Sequence, residues 1–212
     1  MHLGLRMRDF FHNREITQKI QNKLPELFHI AELESSRAGK IGMEVGSVRE
    51  KILIALLISY YGQQNVSTDL SIHEPEIDVV VRGVPVSIKT ITGLRLMGVK
   101  VIWTVDREQV LMFRESYQPH CDMLYTHINW DGDGGLYYFD QELQLSMLNR
   151  LGRESYLKLP RPGTNPRGVE ISTQAVRELA RHPRSMKIPL KWVKKEIKFD
   201  PYKRWLEHWE QE

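Results

Sequence analysis

Cysteine is nearly absent. A single residue, Cys121, stands in a chain of 212, so no intramolecular disulfide can form and no cluster of thiolates can hold zinc. That scarcity suits a reducing compartment. Long hydrophobic runs are missing too: the longest, Ile52–Tyr61, is about half of what a membrane span requires. The opening stretch MHLGLRMRDFFHNRE is charged and carries no hydrophobic signal core. The cytoplasm is therefore the expected location, with no membrane contact. An apolar content of 41% with 27% charged residues excludes wholesale disorder and allows one substantial packed domain.

A strong excess of one charge is also lacking, since the net charge is only +3. Its distribution is uneven, however. Residues 150–212 hold 15 Lys and Arg against 8 Asp and Glu, a net of +7, which leaves −4 for residues 1–149. A basic carboxy-terminal third is either a solvated face or a footprint for a polyanion such as DNA.

Helical patterning covers Asp9–Leu33, with Pro25 expected to break or kink it. The three glycines of ESSRAGKIGMEVG (residues 34–46) read as a loop. In SVREKILIALLISYYG, Ser47 suits an N-cap, Glu50 stands three residues later and Gly62 closes the element. Its middle is apolar almost all round, which predicts a buried helix. The β-branched runs Glu76–Val81 and Val84–Thr90 flank Arg82-Gly83, a pair that suits a tight hairpin. A third strand is expected at Val99–Val105, a short helix capped by Asp106 up to about Tyr117, and a fourth strand at Asp122–Asn129. The order over residues 47–129 is thus α-β-β-β-α-β. Beyond it, WDGDGG reads as a turn and LYYFD as a strand, Gln141–Leu151 as a helix, and PRPGTNPRG as a boundary before helical pieces at Thr173–Arg181 and Pro201–Trp209. The expected division is a helical region with a loop (1–46), a core (47–160) and a basic extension (161–212), together one compact domain.

Residues two apart on a strand share a face. Glu76, Asp78 and Val80 therefore lie together on one strand, and Ser87 and Lys89 on its partner. With Val79, Val81, Val86 and Ile88 turned to the core, Asp78 and Lys89 project side by side. They form either a cross-strand ion pair or part of a site for a divalent metal and a phosphate, where Mg²⁺ takes carboxylate oxygens and a lysine steadies developing charge.

The segments EIDVVVRG and VPVSIKT resemble the PD-(D/E)XK nucleases, a family that includes many type II restriction endonucleases. The resemblance implies an α/β (α+β) fold: an αβββαβ core with a mixed central sheet, with helical amino-terminal and basic carboxy-terminal additions. Two departures stand out. Glu76 lies upstream where the motif has its proline, which is not a chemical position. Ser87 stands where the second acid belongs, leaving a metal one carboxylate short. In several family members an acid near the start of the first core helix contributes to the site, and Glu50 holds that place. The resemblance therefore implies Mg²⁺ held by Glu50, Asp78 and the Ile88 carbonyl, with Lys89 as catalytic lysine. Glu50 could alternatively do no more than complete a capping box with Ser47. The literal acid-x-Lys at Glu196–Lys198 lacks a preceding strand with an aspartate and reads as incidental.

A loop just ahead of Glu50 must lie near DNA if Glu50 does. Ser36, Arg37, Lys40 and Ser47 are candidates for phosphate or base contacts. Met43, between glycines, is either a wedge between base pairs or a side chain folded onto the core. Arg95 follows the catalytic strand, and Arg181, Arg184, Lys187, Lys191, Lys194 and Lys195 could widen the footprint. No histidine pair shares a helix face with a nearby acid, DGDGG does not fit a calcium loop, and Cys121 reads as structural. The spacing of Glu50, Asp78 and Lys89, with the loop around Met43, is similar to that of one restriction endonuclease in particular. That likeness implies a homodimer cutting both strands of double-stranded DNA at the palindrome CGCG to blunt ends. The rivals are a repair or junction-resolving nuclease on the same core, and a DNA-binding protein whose catalytic site has decayed at Ser87.

Overall fold

The computed structural model describes residues 7–37, 40–42, 44–70, 76–104, 106–160 and 168–211. The chain begins with α1 (Met7–His12) and α2 (Arg14–Glu34). They part at Asn13, whose side chain accepts from the Ile16 amide at 3.0 Å. The break expected at Pro25 does not occur there, because Pro25 lies inside α2. Its missing N–H costs one helical bond, while α2 buries Ile16, Ile20, Leu24, Phe28 and Ala31 as one stripe. That burial outweighs the lost bond.

The glycine-rich loop contains a small antiparallel ribbon, β1 (Ser36–Arg37) with β2 (Lys40–Ile41). Helix α3 (Val45–Tyr61) starts two residues ahead of Ser47. Its N-cap is Glu44, already in the right-handed helical conformation and without a side-chain cap bond. The capping box of Ser47 and Glu50 is therefore not formed, and Glu50 stands in the second turn. Nor is α3 buried all round. Arg49, Leu53, Leu57 and Tyr61, four residues apart, form its buried face, whereas Ala55 and Ser59 are exposed.

Next come β3 (Val66–Ser67), β4 (Val79–Val81) and β5 (Val84–Thr92). The turn between β4 and β5 places Arg82 and Gly83 at φ 52° and 82°, the positive pair that a tight hairpin needs. Strand β6 (Val99–Ile102), α4 (Arg107–Ser116, capped by Asp106), β7 (Asp122–Ile128), β8 (Asp133–Phe139) and α5 (Gln141–Leu151) follow. Then come α6 (Arg153–Tyr156), β9 (Leu157–Lys158), β10 (Val169–Ile171), α7 (Thr173–Arg181), β11 (Met186–Lys191) and α8 (Lys203–Trp209).

Six strands form the central sheet in the order β11-β8-β7-β5-β4-β3. It is mixed: β5 and β7 are parallel, their neighbours antiparallel. The third strand expected at 99–105 is shorter and leaves this sheet, pairing with β10 in a separate three-stranded one. Strand β3, whose two residues are too few to show alternation within a polar segment, joins the central sheet at its edge instead. Both faces of the sheet are covered. On β7 and β8, Leu124, Ile128, Leu136 and Tyr138 pack with α1, α2 and α3, while Met123, Tyr125, Tyr137 and Phe139 pack with α4, α5 and α7. Two-residue periodicity sorts them.

A charged knot sits within the first layer. Arg49 reaches the Glu32 carboxylate at 2.5 Å and the Thr92 hydroxyl at 3.1 Å. The Trp130 indole donates to the same Glu32 oxygen at 2.6 Å, and Lys194 pairs with the other at 2.7 Å. Glu32 and Arg49 are both buried. Glu32→Ala strands the Arg49 charge, so urea unfolding is expected to show a loss of about 3–5 kcal/mol; a loss below about 1 kcal/mol would mean the knot is not cooperative.

Candidate active site

Asp78 immediately precedes β4 yet already belongs to the ladder, its amide donating to the Val86 carbonyl at 3.0 Å. This places its side chain over the facing strand. Asp78 Oδ2 accepts from the Ile88 amide at 2.5 Å, the Ser87 hydroxyl at 3.3 Å and the Lys89 ammonium at 3.3 Å. Among the described residues Oδ1 accepts no hydrogen bond. One oxygen is thus pinned by the protein. Both side chains of the pair are about one-fifth exposed, so the site opens to solvent without being fully hydrated. Ser87, where the family pattern has an acid, orients Asp78 instead of supplying a second charge.

Glu50 reaches the same electrostatic neighbourhood from α3. Burial holds its carboxyl above the ordinary range, the Asp78 charge pushes it higher, and Lys89 and Lys51 pull it back. The family resemblance implied Glu50 as a third member, and its carboxyl feels the charges of both Asp78 and Lys89.

Glu76 also lies in this neighbourhood. It is buried at 6% exposure. Burial chiefly, with Asp78 adding, pushes its carboxyl up to about 7 against the pull of Lys89. His120 Nδ1 lies 3.5 Å from Glu76 Oε2, and a ligand atom of each of Glu76, His120 and Cys121 lies within 4.8 Å of the others. His120 meets Glu76 from the segment entering β7, a contact between distant segments that no helical spacing signals. The strand expected from Glu76 begins only at Val79, so Glu76 lies in a turn ahead of β4. Burial pushes the Cys121 thiol up to about 12, so it is not a ready nucleophile.

The donor chemistry separates the two groups. Carboxylate oxygens from Glu50 and Asp78 fit a hard cation such as Mg²⁺, which uses one or two carboxylates and otherwise water and phosphate. The oxygen, nitrogen and sulfur of the second group fit a softer ion.

Among the candidate DNA contacts, Ser36 and Lys40 are exposed on the ribbon, Ser47 on the first turn of α3 and Arg95 beyond β5. Met43 and the side chain of Arg37 lie outside the described residues. Beside Arg95, Leu94 is 85% exposed and Met97 is also open; sequence reading attended only to the cations there. Much of the basic tail is spent internally. Arg184 pairs with Asp140 and Glu142, Lys194 with Glu32, Lys195 with Glu26 and Arg181 with Glu178.

A mixed sheet carries an acid and a lysine on paired strands, and the class of protein, a restriction endonuclease, comes from the comparisons. The description "Restriction endonuclease ThaI" matches residues 10–211. A solved structure described as "Restriction endonuclease in complex with substrate DNA" is 48% identical, with a TM-score of 0.90, and the match covers 97% of this chain and 99% of that one. No curated protein matches. The chain belongs to the ThaI restriction endonuclease family, whose members are type II site-specific nucleases.

Glu76 makes a pH prediction. Its folded carboxyl holds a proton up to about 7, whereas the unfolded one releases it near 4.5. The folded state binds more protons across that window, so this group's contribution to stability is present below it and is lost as pH rises through it. Thermal melts of metal-free Glu76→Gln should fall less between pH 4.5 and 7 than those of wild type; parallel curves would contradict the assignment.

Proposed function

We propose that this chain is a Mg²⁺-dependent restriction endonuclease of the PD-(D/E)XK type, working as a homodimer that cuts double-stranded DNA at CGCG to blunt ends. The observation that carries the reading is the Lys89 ammonium 3.3 Å from Asp78 on paired strands, with the Glu50 carboxyl responding to both charges. The relative of known structure is described with substrate DNA, which favours DNA as the substrate here. The sequence CGCG, the blunt ends and the dimer rest on the likeness to the ThaI enzyme.

Glu50, Asp78 and the Ile88 carbonyl would hold the metal. The bound ion would supply Lewis-acid polarisation of the scissile phosphate and a more acidic water. The protein does the rest. The Ile88 amide fixes one Asp78 oxygen, so the free one points in a single direction. Lys89 orients the attacking water and stabilises the charge that grows on the phosphoryl oxygens as phosphorus becomes five-coordinate. The water oxygen bonds to phosphorus, the 3′ oxygen leaves and takes up a proton, and the products carry 5′-phosphate and 3′-hydroxyl ends. Ser36, Lys40, Ser47 and Arg95 would contact the duplex, with Arg37 and Met43 from the same loop. A two-fold palindrome suits a two-fold protein.

Plasmid digestion tests the reading. Wild type with Mg²⁺ should give discrete blunt fragments mapping to CGCG, and EDTA should abolish them. Lys89→Ala should lose at least about 100-fold in rate while still binding DNA, the scale of removing a group that acts on the developing charge. Cutting governed by DNA structure instead of base sequence would favour a repair nuclease, and binding without any cutting would favour a non-catalytic protein.

A further inference from the structure

Beside the pair of Asp78 and Lys89, one cluster brings an oxygen, a nitrogen and a sulfur ligand together. Glu76 and Cys121 are buried, at 6% and 5% exposure, and the His120 side chain next to them is half exposed. One ligand atom of each lies within 4.8 Å of the other two. The distance of 3.5 Å from Glu76 Oε2 to His120 Nδ1 is long for a hydrogen bond. It is close to the edge between two ligands of a tetrahedral zinc ion, on the order of 3.4 Å from ordinary Zn–O and Zn–N bond lengths.

Tyr156 supplies an independent observation. Its side chain is wholly buried and, among the described residues, its hydroxyl has no hydrogen-bond partner. The groups whose charge bears on that hydroxyl are Glu76 and Cys121. A buried hydroxyl left unmet calls for a water or an ion that the protein atoms do not supply. Tyr117, stacked on Tyr156 with ring centroids 6.4 Å apart, feels the same two residues. The exposed side of His120 gives an entry path from solvent.

We propose that Glu76, His120 and Cys121 hold a transition-metal ion of the Zn²⁺ type, with a water as fourth ligand hydrogen-bonded to the Tyr156 hydroxyl. A thiolate and an imidazole suit Zn²⁺, whereas Mg²⁺ prefers oxygen. The site is therefore separate from that of Glu50 and Asp78 and goes beyond the nuclease reading. The ion replaces the protons of the Cys121 thiol and the Glu76 carboxyl, which pass to solvent, and the His120 lone pair makes the third protein bond. These ligands come from the segments that enter β4 and β7, and β5 with Lys89 lies between those two strands. A bound ion clips together the neighbours on either side of that strand.

Co²⁺, a light-absorbing stand-in for Zn²⁺, tests the site on the full chain, with circular dichroism to confirm that each variant folds. Titrated wild type should develop a sulfur-to-cobalt charge-transfer band and the strong visible absorption of four-coordinate cobalt, and Zn²⁺ should abolish both. Cys121 is the chain's single cysteine, so the band reports it alone and Cys121→Ser should remove it. Glu76→Gln and His120→Ala should each weaken Co²⁺ binding by more than about tenfold. The His120 side chain is half exposed, so its loss leaves the fold intact. Glu50→Gln with Asp78→Asn should leave the band and the affinity unchanged. A folded wild type without the band would overturn the site, as would full affinity in both Glu76→Gln and His120→Ala. A band lost on changing Glu50 and Asp78 would overturn it too and assign the ion to those carboxylates.

Discussion

A buried carboxylate has to be neutralised, and the way Glu32 is neutralised ties the molecule together. Its partners come from four places: Arg49 on α3, Thr92 through Arg49 at the end of β5, Trp130 at the turn between β7 and β8, and Lys194 after β11. Burial makes the Arg49 guanidinium easier to deprotonate than usual, and Glu32 opposes that shift. Neither ion is stable there without the other. The residue after Arg49 is Glu50. Fixing Arg49 fixes the rotation of α3, and with it the direction from which Glu50 approaches Asp78.

The site itself divides its labour between backbone and side chain. The Ile88 amide and the Ser87 hydroxyl saturate one oxygen of Asp78, and Lys89 balances its charge. A serine in the position of an acid is then a consistent choice: a second carboxylate on β5 would compete with Asp78 for the same donors. In the proposed site the further negative charge that a metal would require comes from α3, from a carboxyl already disfavoured as an anion by its burial. A cation would relieve that penalty. Glu76, also buried and close enough to feel both Asp78 and Lys89, makes this corner of the sheet richer in carboxylate than the motif alone implies.

What sequence could reveal followed from local rules. The Arg82–Gly83 hairpin, the helix capped by Asp106, and the pairing of Asp78 with Lys89 all depend on neighbours within a few residues or on strict alternation. The errors arose where tertiary packing decided. Pro25 sits in a helix because the stripe from Ile16 to Ala31 is buried; α3 begins at Val45 without a side-chain cap; β6 pairs with β10, more than 60 residues away. His120 beside Glu76 and Arg49 beside Glu32 are likewise contacts between distant segments, and no periodicity announces them.

The central claim is that Glu50 and Asp78 together hold the metal. Electron paramagnetic resonance of Mn²⁺, titrated into the protein bound to a CGCG duplex, measures it without relying on turnover. Glu50→Gln and Asp78→Asn should each weaken binding by more than about tenfold, since even outer-shell partners of a metal contribute about 10–100-fold, while Lys89→Ala should leave it close to wild type. Unchanged Mn²⁺ affinity in Glu50→Gln would contradict the account and return Glu50 to a structural role in α3.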